Sequence, residues 1–451
     1  MQVEAWLQRA AGSAPTRTAL ETRDARLSYR ELAQLAAAGA RELRERGVRR
    51  GERVAIALPA GVEFAQALHA CMLVGAVAAP IDPRLKPRER ESVVAGGLLL
   101  DRPLRRPAPE QARAGTRSKA ASPPEPESET ILEGFTHDLD AACAVIHTSG
   151  TTSAPRPIEL TYGNFLWSAL GSSVALGVDP EERWLCAMPL SHVGGLSILV
   201  RSAIYATTAV IHERFDTPLV MRALRQEGMT LVSLVSTTLA RLLDAGLREP
   251  PSLRWALTGG GPLPPALLER AHAAGVPAVA TYGLTEACSQ VSTGGPPLFC
   301  TRVQLGPDGE ILVGGPTVAP ASLGADGWLH TGDLGEIDAD GALRVIGRKA
   351  DTIISGGENV APVEVEAVLE AHPSVIEAAV LGRPDPQWGE AVVAIVVASS
   401  SEGVDEAELR EHCLARLAPY KVPKQVRIVS DSLPRTASGK LLRRELQGIS
   451  T

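Results

Sequence analysis

Apolar residues recur at helical spacing in "SYRELAQLAAAGARELRERG" (28–47) and again in "VEFAQALHACMLVGA" (62–76). Between them "RVAIALP" (53–59) is a short continuous apolar run, which reads as a strand. Helices alternating with apolar strands predict an α/β fold with a mostly parallel sheet. The alternation stops at 101–130, "DRPLRRPAPEQARAGTRSKAASPPEPESET", where Pro, Ala, Ser and charge replace large apolar residues. Such a stretch reads as a flexible surface excursion. From 131 to about 345 the α/β pattern resumes, with "MTLVSLVS" (229–236) and "PAVATYG" (277–283) as further strands. After "VIGRKADTIISGGENV" comes a compact block: a helix over 362–371, strands over 375–381 and 391–398, a helix over 405–417 and a polar tail. The expected architecture is a large N-terminal α/β domain, residues 1–349, followed by a small α+β domain, residues 350–451. No internal repeat is visible.

Composition narrows the partners. At 451 residues the chain is long for one domain, and 45% hydrophobic with 22% charged residues is ordinary for a globular protein with large cores. A net charge of −7 argues against a general nucleic-acid binder. Glu4 and Gln8 interrupt the N-terminus where a secretion signal needs an apolar core. The longest nearly apolar stretch, 67–81, is too short to span a bilayer. Six scattered cysteines without a C-x-x-C pair speak for reduced thiols and against a zinc site. The expected compartment is the cytoplasm.

Candidate chemistry begins at "HTSGTTSAPRPIELTYGNF" (147–165). A loop of hydroxyls around Gly150, running straight out of the apolar "ACAVI", suits an anion: the glycine opens backbone angles and the hydroxyls add donors. It lacks the spacing of a P-loop. Read alone, it is either a phosphate cradle or an ordinary turn. The same ambiguity attends the glycine turn "TGGGPLP" (258–264), the carboxylates Glu286 and Asp333, Arg348, and the near-terminal Lys440.

Order resolves it. "TSGTT", "PLSH" (189–192), "ATYGLTEACSQ" (280–290), "GWLHTGD" (327–333), "GRKADTIISGGENV" (347–360) and "LPRTASGK" (433–440) follow one another along the chain. This succession resembles the adenylate-forming superfamily of acyl-CoA synthetases, adenylation domains and luciferases, from about residue 27 to residue 446. The resemblance implies a two-step reaction. A carboxylate attacks the α-phosphorus of ATP to give an acyl adenylate and pyrophosphate; the thiol of coenzyme A then displaces AMP.

It also implies roles. Thr148, Ser149, Gly150, Thr151 and Thr152 would wrap the β- and γ-phosphates, with Arg156 in place of the usual lysine and Ser153 in place of a glycine. Arginine keeps the charge but presents a planar fork. Gly259, Gly260 and Gly261 would let the purine approach the backbone. Tyr282, followed by Gly283, would stack on adenine; Thr285 would reach the α-phosphate; Glu286 would hold magnesium (Mg2+). Asp333 and Arg348 would serve the ribose and its phosphate. Lys440 would bridge the substrate carboxylate and the α-phosphate. Ser355, Gly356 and Gly357 would line the coenzyme A tunnel after the small domain turns about Ala350, where relatives carry Asp, Lys or Ser.

The substrate is implied by longer stretches. "TYGNFLWSALGSSVALG" (161–177), "WLCAMPLSHVGGLSILVRSAIYATTAVIHERFD" (184–216), "GGGPLPPALLERAHAAGVPAVATYGLTEACSQ" (259–290) and "ISGGEN" (354–359) resemble the o-succinylbenzoate–CoA ligases of menaquinone biosynthesis. Such a substrate has two carboxylates; one is activated and the other needs a cationic or amide partner. Arg201, in the apolar run "LSILVRSAIYA", is that cation by this reading, or else a stem reaching the surface. His192 would gate the acyl and pantetheine channel, with Thr258 and Ser289 as pocket donors. The competing expectations are another aryl- or acyl-acid CoA ligase, a domain that loads a carrier protein, and a nucleotide-binding protein without chemistry. Homodimers are common among relatives.

Overall fold

The computed structural model describes residues 1–82, 85, 87–94, 96–106, 134–148, 156–399, 405–435, 441–446 and 448. Two larger sheets, of five and eight strands, make up the body of the N-terminal part. The first runs in the order Leu98–Leu100, Arg53–Ile56, Val77–Pro80, Ala142–Thr148, Arg156–Thr161, parallel until the last pair turns back as a hairpin. The second has eight strands. Its centre, from Ala278–Leu284 through Trp255–Thr258, Leu231–Leu234, Arg183–Cys186 and Thr208–Ile211 to Thr18–Glu21, is parallel, and an antiparallel strand closes each edge.

Local chemistry sets the helices between them. Helix Tyr29–Glu45 starts at a capping box, Ser28 with Glu31, and buries Leu32, Leu35, Ala36 and Leu43. Helix Val62–Val74 is buried over most of its length and stops at Gly75, whose φ of +76° lets its N–H reach the last carbonyls. Helices Tyr162–Leu176 and Val193–Tyr205 pack into the same core, with Phe165, Leu196, Ile198 and Val200 hidden from solvent.

The small C-terminal part has its own sheet and core. Strands Val375–Asp385 and Gly389–Ala398 form a long antiparallel pair, flanked by the hairpin Ile353–Ser355/Glu358–Val360 and by Gln425–Val429. Helices Pro362–Glu370 and Glu406–Leu414 pack on it through Val365, Leu369 and Leu409. The fold is thus α/β with a large and a small part, as the alternation implies.

Two expectations need correcting. The α/β alternation does not continue to 345: Arg302–Leu305, Glu310–Gly314, Leu329–Ile337 and Leu343–Arg348 form a wholly antiparallel four-stranded sheet. Turns with glycines in left-handed conformation, Gly309 at +79° and Gly341 at +80°, join two of its strand pairs where crossover helices would be needed for parallel pairing. The excursion also begins later than residue 101. Leu104 is buried, the Arg105 N–H donates to Glu42 Oε2 at 2.6 Å, and Gln66 Nε2 donates to the Arg105 carbonyl at 2.9 Å. One apolar side chain and two backbone bonds are enough to seat that start; residues 107–133 lie outside the described residues.

Candidate active site

Three of the side chains expected to hold the nucleotide meet one another. Tyr282 leaves the end of strand Ala278–Leu284, and Asp333 and Arg348 face each other as Cα partners across strands Leu329–Ile337 and Leu343–Arg348. The Tyr282 hydroxyl donates to Asp333 Oδ2 at 2.8 Å, and Arg348 Nε donates to Asp333 Oδ1 at 2.8 Å. Thr331 steadies the turn: its Oγ1 accepts from the Asp333 N–H at 3.0 Å. Burial and the Asp333 charge push the Tyr282 hydroxyl well above the usual phenol range, so it is a donor at every working pH. Asp333 keeps lone pairs on both oxygens for further donors, such as a pair of ribose hydroxyls.

Beside this trio, Thr285 and Glu286 lie half-buried in a single 3-10 turn, Thr285–Ala287, that breaks out of the sheet edge. The turn ends at Cys288 and Ser289, with φ of +51° and +90°, a conformation that costs non-glycine residues energy unless their surroundings hold it. Gly283 is obligatory here: a Cβ on it would stand 1.7 Å from the Ser289 carbonyl oxygen. Gly259 is equally constrained, with the Thr281 carbonyl oxygen 2.5 Å from where its Cβ would be. Gly260, at φ +78°, and Gly261 are exposed just beyond the end of strand Trp255–Thr258. Thr258 is buried and leans back on its own strand, with Oγ1 3.4 Å from the Ala256 carbonyl. These groups gather at the carboxyl ends of parallel strands, where open α/β sheets hold their ligands.

Among the described residues no group of three or more His, Cys, Asp or Glu could hold a metal ion. A lone half-buried Glu286 still fits magnesium, which takes one or two carboxylates and completes its shell with phosphates and water. Thr148 ends strand Ala142–Thr148, and its Oγ1 donates to the carbonyl of Arg156, its partner across the hairpin, at 3.3 Å. Ser149, Gly150, Thr151 and Thr152, with Ser153, lie outside the described residues, and so does Lys440. On either side of Lys440, Arg435 and Leu441 form an antiparallel bridge.

The residues expected on the acyl side are held differently. His192 is half-buried at the start of helix Val193–Tyr205, its carbonyl accepting from the Leu196 N–H at 3.0 Å. Arg201, on the same helix, is only 3% exposed. Its Nη2 donates to Ser168 Oγ at 2.8 Å and its Cζ lies 5.7 Å from the Trp184 ring centre. Among the described residues Nε has no partner. The ionisable groups acting on it are Tyr205, Cys288 and Cys300, and burial pushes the guanidinium below its usual range. The expectation of a stem reaching the surface is overturned: the head itself is buried. Sequence reasoning does not single out Ser168 and Trp184, the two side chains set against the Arg201 head. The only signal is that Ser168 falls in the distinctive stretch 161–177 and Trp184 opens the next.

On the small part, Ser355, Gly356 and Gly357 form a tight hairpin with φ of +63° and +85° at the two glycines. Ser355 is buried with Oγ unpaired among the described residues, and the Gly356 N–H donates to the Trp388 carbonyl at 2.8 Å. Ala350 is exposed within the 3-10 turn Lys349–Asp351. Lys349 pairs with Asp308, and lies 3.5 Å from Glu310 Oε2, on the antiparallel sheet; Asp351 Oδ2 lies 3.5 Å from Arg443 Nε.

Comparison with known proteins decides what this arrangement belongs to. The family model for AMP-binding enzymes matches residues 7–321, and that for the AMP-binding enzyme C-terminal domain matches residues 364–440. The chain belongs to the AMP-binding enzyme family. Within it, the 2-succinylbenzoate–CoA ligase of Bacillus licheniformis is 40% identical over 98% of this chain and 98% of its own. The o-succinylbenzoate CoA synthetase of Bacillus subtilis in complex with the acyl-adenylate intermediate OSB-AMP superposes with a TM-score of 0.85 at 35% identity, covering 99% of this chain and 98% of that one. The same synthetase with ATP and magnesium ion gives 0.85 and 35%, covering 99% and 100%. In an AMP-binding enzyme, the Tyr282–Asp333–Arg348 cluster is a candidate holder of the nucleoside. Among the described residues no helix is long and apolar enough to cross a membrane.

Proposed function

We propose that this chain is an ATP-dependent acid–CoA ligase that activates 2-succinylbenzoate as its acyl adenylate and transfers it to coenzyme A, a step of menaquinone biosynthesis. The near-full-length likeness to 2-succinylbenzoate–CoA ligases carries the reading. The residues supply the physics. Both partners of the first step are anions, so the chain must neutralise charge and hold them in line. Tyr282, Asp333 and Arg348 fix the nucleoside, with the hydroxyl of Thr285 toward the α-phosphate. Glu286 holds magnesium, which offsets phosphate charge when bound. Thr148 to Thr152 and Arg156 take the β- and γ-phosphates. Thr258 and Ser289 donate to the acid, His192 borders its channel, and Arg201 compensates the carboxylate that is not activated.

Lys440 supplies the point charge between the acid and the α-phosphate. Lys440→Ala should abolish thioester formation from free acid and ATP, yet keep most of the activity on ready-made adenylate plus coenzyme A. Equal loss in both assays would give Lys440 another role. We place the domain boundary between 349 and 350, because Lys349 is tied to the N-terminal sheet and Asp351 to Arg443 of the C-terminal part. Ala350 is then the pivot that brings Ser355–Gly357 to the thiol. All six cysteines are free and buried, which supports a reducing cytoplasm, and a homodimer is part of the proposal. Pyrophosphate release over a panel of acids, with and without coenzyme A, tests the whole. Preference for a monocarboxylic aryl acid, or acceleration by a phosphopantetheinyl protein instead of coenzyme A, would overturn it.

A further inference from the structure

The helix Tyr162–Leu176 lies in a stretch that sets this chain apart, yet none of its residues has a part in the chemistry above. Its Ser168 is 1% exposed and makes two strong bonds. The hydroxyl donates to the Cys288 carbonyl at 2.6 Å and accepts from Arg201 Nη2 at 2.8 Å. A hydroxyl has a single proton, so the carbonyl takes it and only a lone pair is left to face the guanidinium. The carbonyl is itself fixed, because Cys288 and Ser289 stand in left-handed backbone just after Glu286. Helix Val193–Tyr205 holds the stem of Arg201, Trp184 covers one face of its head, and Ser168 takes one N–H. Among the described residues Nε is unpaired and no carboxylate stands among the ionisable groups acting on the head. The guanidinium is a buried cation that still has donors and charge to give.

We propose that Ser168 is a positioning residue for the acid: the chain from the Cys288 carbonyl through Ser168 to Arg201 fixes the guanidinium so that its remaining donors meet the substrate's second carboxylate. This rests on the function proposed above and deepens it. The alternative is a core hydrogen bond of general structural value. The two differ in what they do to different acids. A positioning hydroxyl matters only to a substrate that uses Arg201, and it alters apparent affinity more than turnover. A structural bond matters to every substrate.

The experiment compares 2-succinylbenzoate with its analogue in which the succinyl acid is a methyl ketone, on the parent and on Ser168→Ala, by pyrophosphate release. We expect KM for the diacid to rise about ten- to a hundred-fold, as for loss of a hydrogen bond to a charged group, with kcat changed less. KM for the ketone should move by less than about threefold, and in an Arg201→Ala background Ser168→Ala should add nothing for the diacid. Ser168→Cys, close in size but a weak acceptor, replaces the alanine variant if that one does not fold. Equal losses on both acids, an undiminished effect in the Arg201→Ala background, or no effect at all would overturn the inference. Failure of the substrate reading shows separately, in the parent, as no preference for the diacid.

Discussion

Asp333 and Arg201 are both charges inside the fold, and they are held in opposite ways. Asp333 has an ionic partner and a hydroxyl partner, one on each oxygen, and Arg348 keeps half of its side chain in water. Its charge is compensated before any ligand arrives. Arg201 has a neutral hydroxyl, a ring face and an unpaired Nε. Its desolvation is not offset within the described protein, so the surrounding fold must carry the cost. A pre-paired charge is a fixed hydrogen-bonding platform, suited to a ligand group that is neutral, such as ribose. An unpaired one is a receptor for a group of opposite sign. The difference between them gives the nucleotide and acyl sides distinct mutational signatures.

The largest effect should come from removing the unpaired charge. Arg201→Met replaces it with an apolar chain of similar reach. Catalytic efficiency with the diacid should fall by roughly thirty-fold or more, about 2–5 kcal/mol, because the second carboxylate loses its partner in a desolvated site. Resistance to urea should stay the same or rise, since a buried cation without an anion is gone. A variant both inactive and clearly less stable would show that Arg201 is structural and break the contrast.

Asp333→Asn should do the reverse on stability. Tyr282 and Arg348 both donate, and an amide offers one acceptor while turning its own N–H groups on the other donor. We expect a loss of about 1–3 kcal/mol in unfolding free energy, and a fall in efficiency with ATP at least as large in fold terms as that. Unchanged urea midpoints would mean that the paired charge is not compensated in the way the distances indicate.

The two sides are unequally legible in the sequence. Asp333 and Arg348 stand in short motifs whose polar residues and glycines break the apolar pattern, so they draw attention at once. Their pairing across an antiparallel hairpin is not visible there, because a short run such as "EILVG" (310–314) looks the same in a parallel strand and an antiparallel one. The turns "DG" at 308–309 and 340–341 carry the missing information. Arg201 is conspicuous as one charge in an apolar run, but its burial depends on Ser168, 33 positions away, and Trp184. Nothing local marks one serine among several in a helix of small residues. Periodicity places the helices and most strands to within a few residues; side-chain partners between distant segments lie beyond it.

A third charge, half-buried, sharpens the contrast by escaping it. Glu370, in the field of Glu366, Arg435 and Glu377 in the small part, has its carboxyl pushed up to about 7, chiefly by desolvation and then by the Glu366 charge. Its folded pKa lies above the unfolded value. The neutral acid's contribution to stability is therefore complete below about pH 4.5 and lost as pH rises through about 7. Relative to Glu370→Gln, the parent's unfolding free energy should decline by roughly 1–2 kcal/mol between about pH 5 and about pH 7.5. Parallel pH profiles would show that Glu370 is ionised throughout and compensated as Asp333 is.

The smallest effect belongs to an exposed pair beside the proposed pivot. Lys349 is bonded to Asp308 and lies near Glu310, with its side chain half in water, so solvent and salt screen the attraction that its raised pKa reflects. Unlike Asp333, it loses little when its partner is lost; unlike Arg201, it has no desolvation to recover. Lys349→Met should therefore leave the thermal midpoint where it is. Its position is the reason to measure it, since it ties the residue before Ala350 to the N-terminal sheet while Asp351 is tied to Arg443. If the pair steadies one setting of the small domain, its loss should shift the ratio of adenylation to thioester-forming rates by no more than about threefold. High salt should produce the same shift in the parent and none in the variant. A shift that persists in high salt would mean that packing at residue 349, and not its charge, sets the pivot.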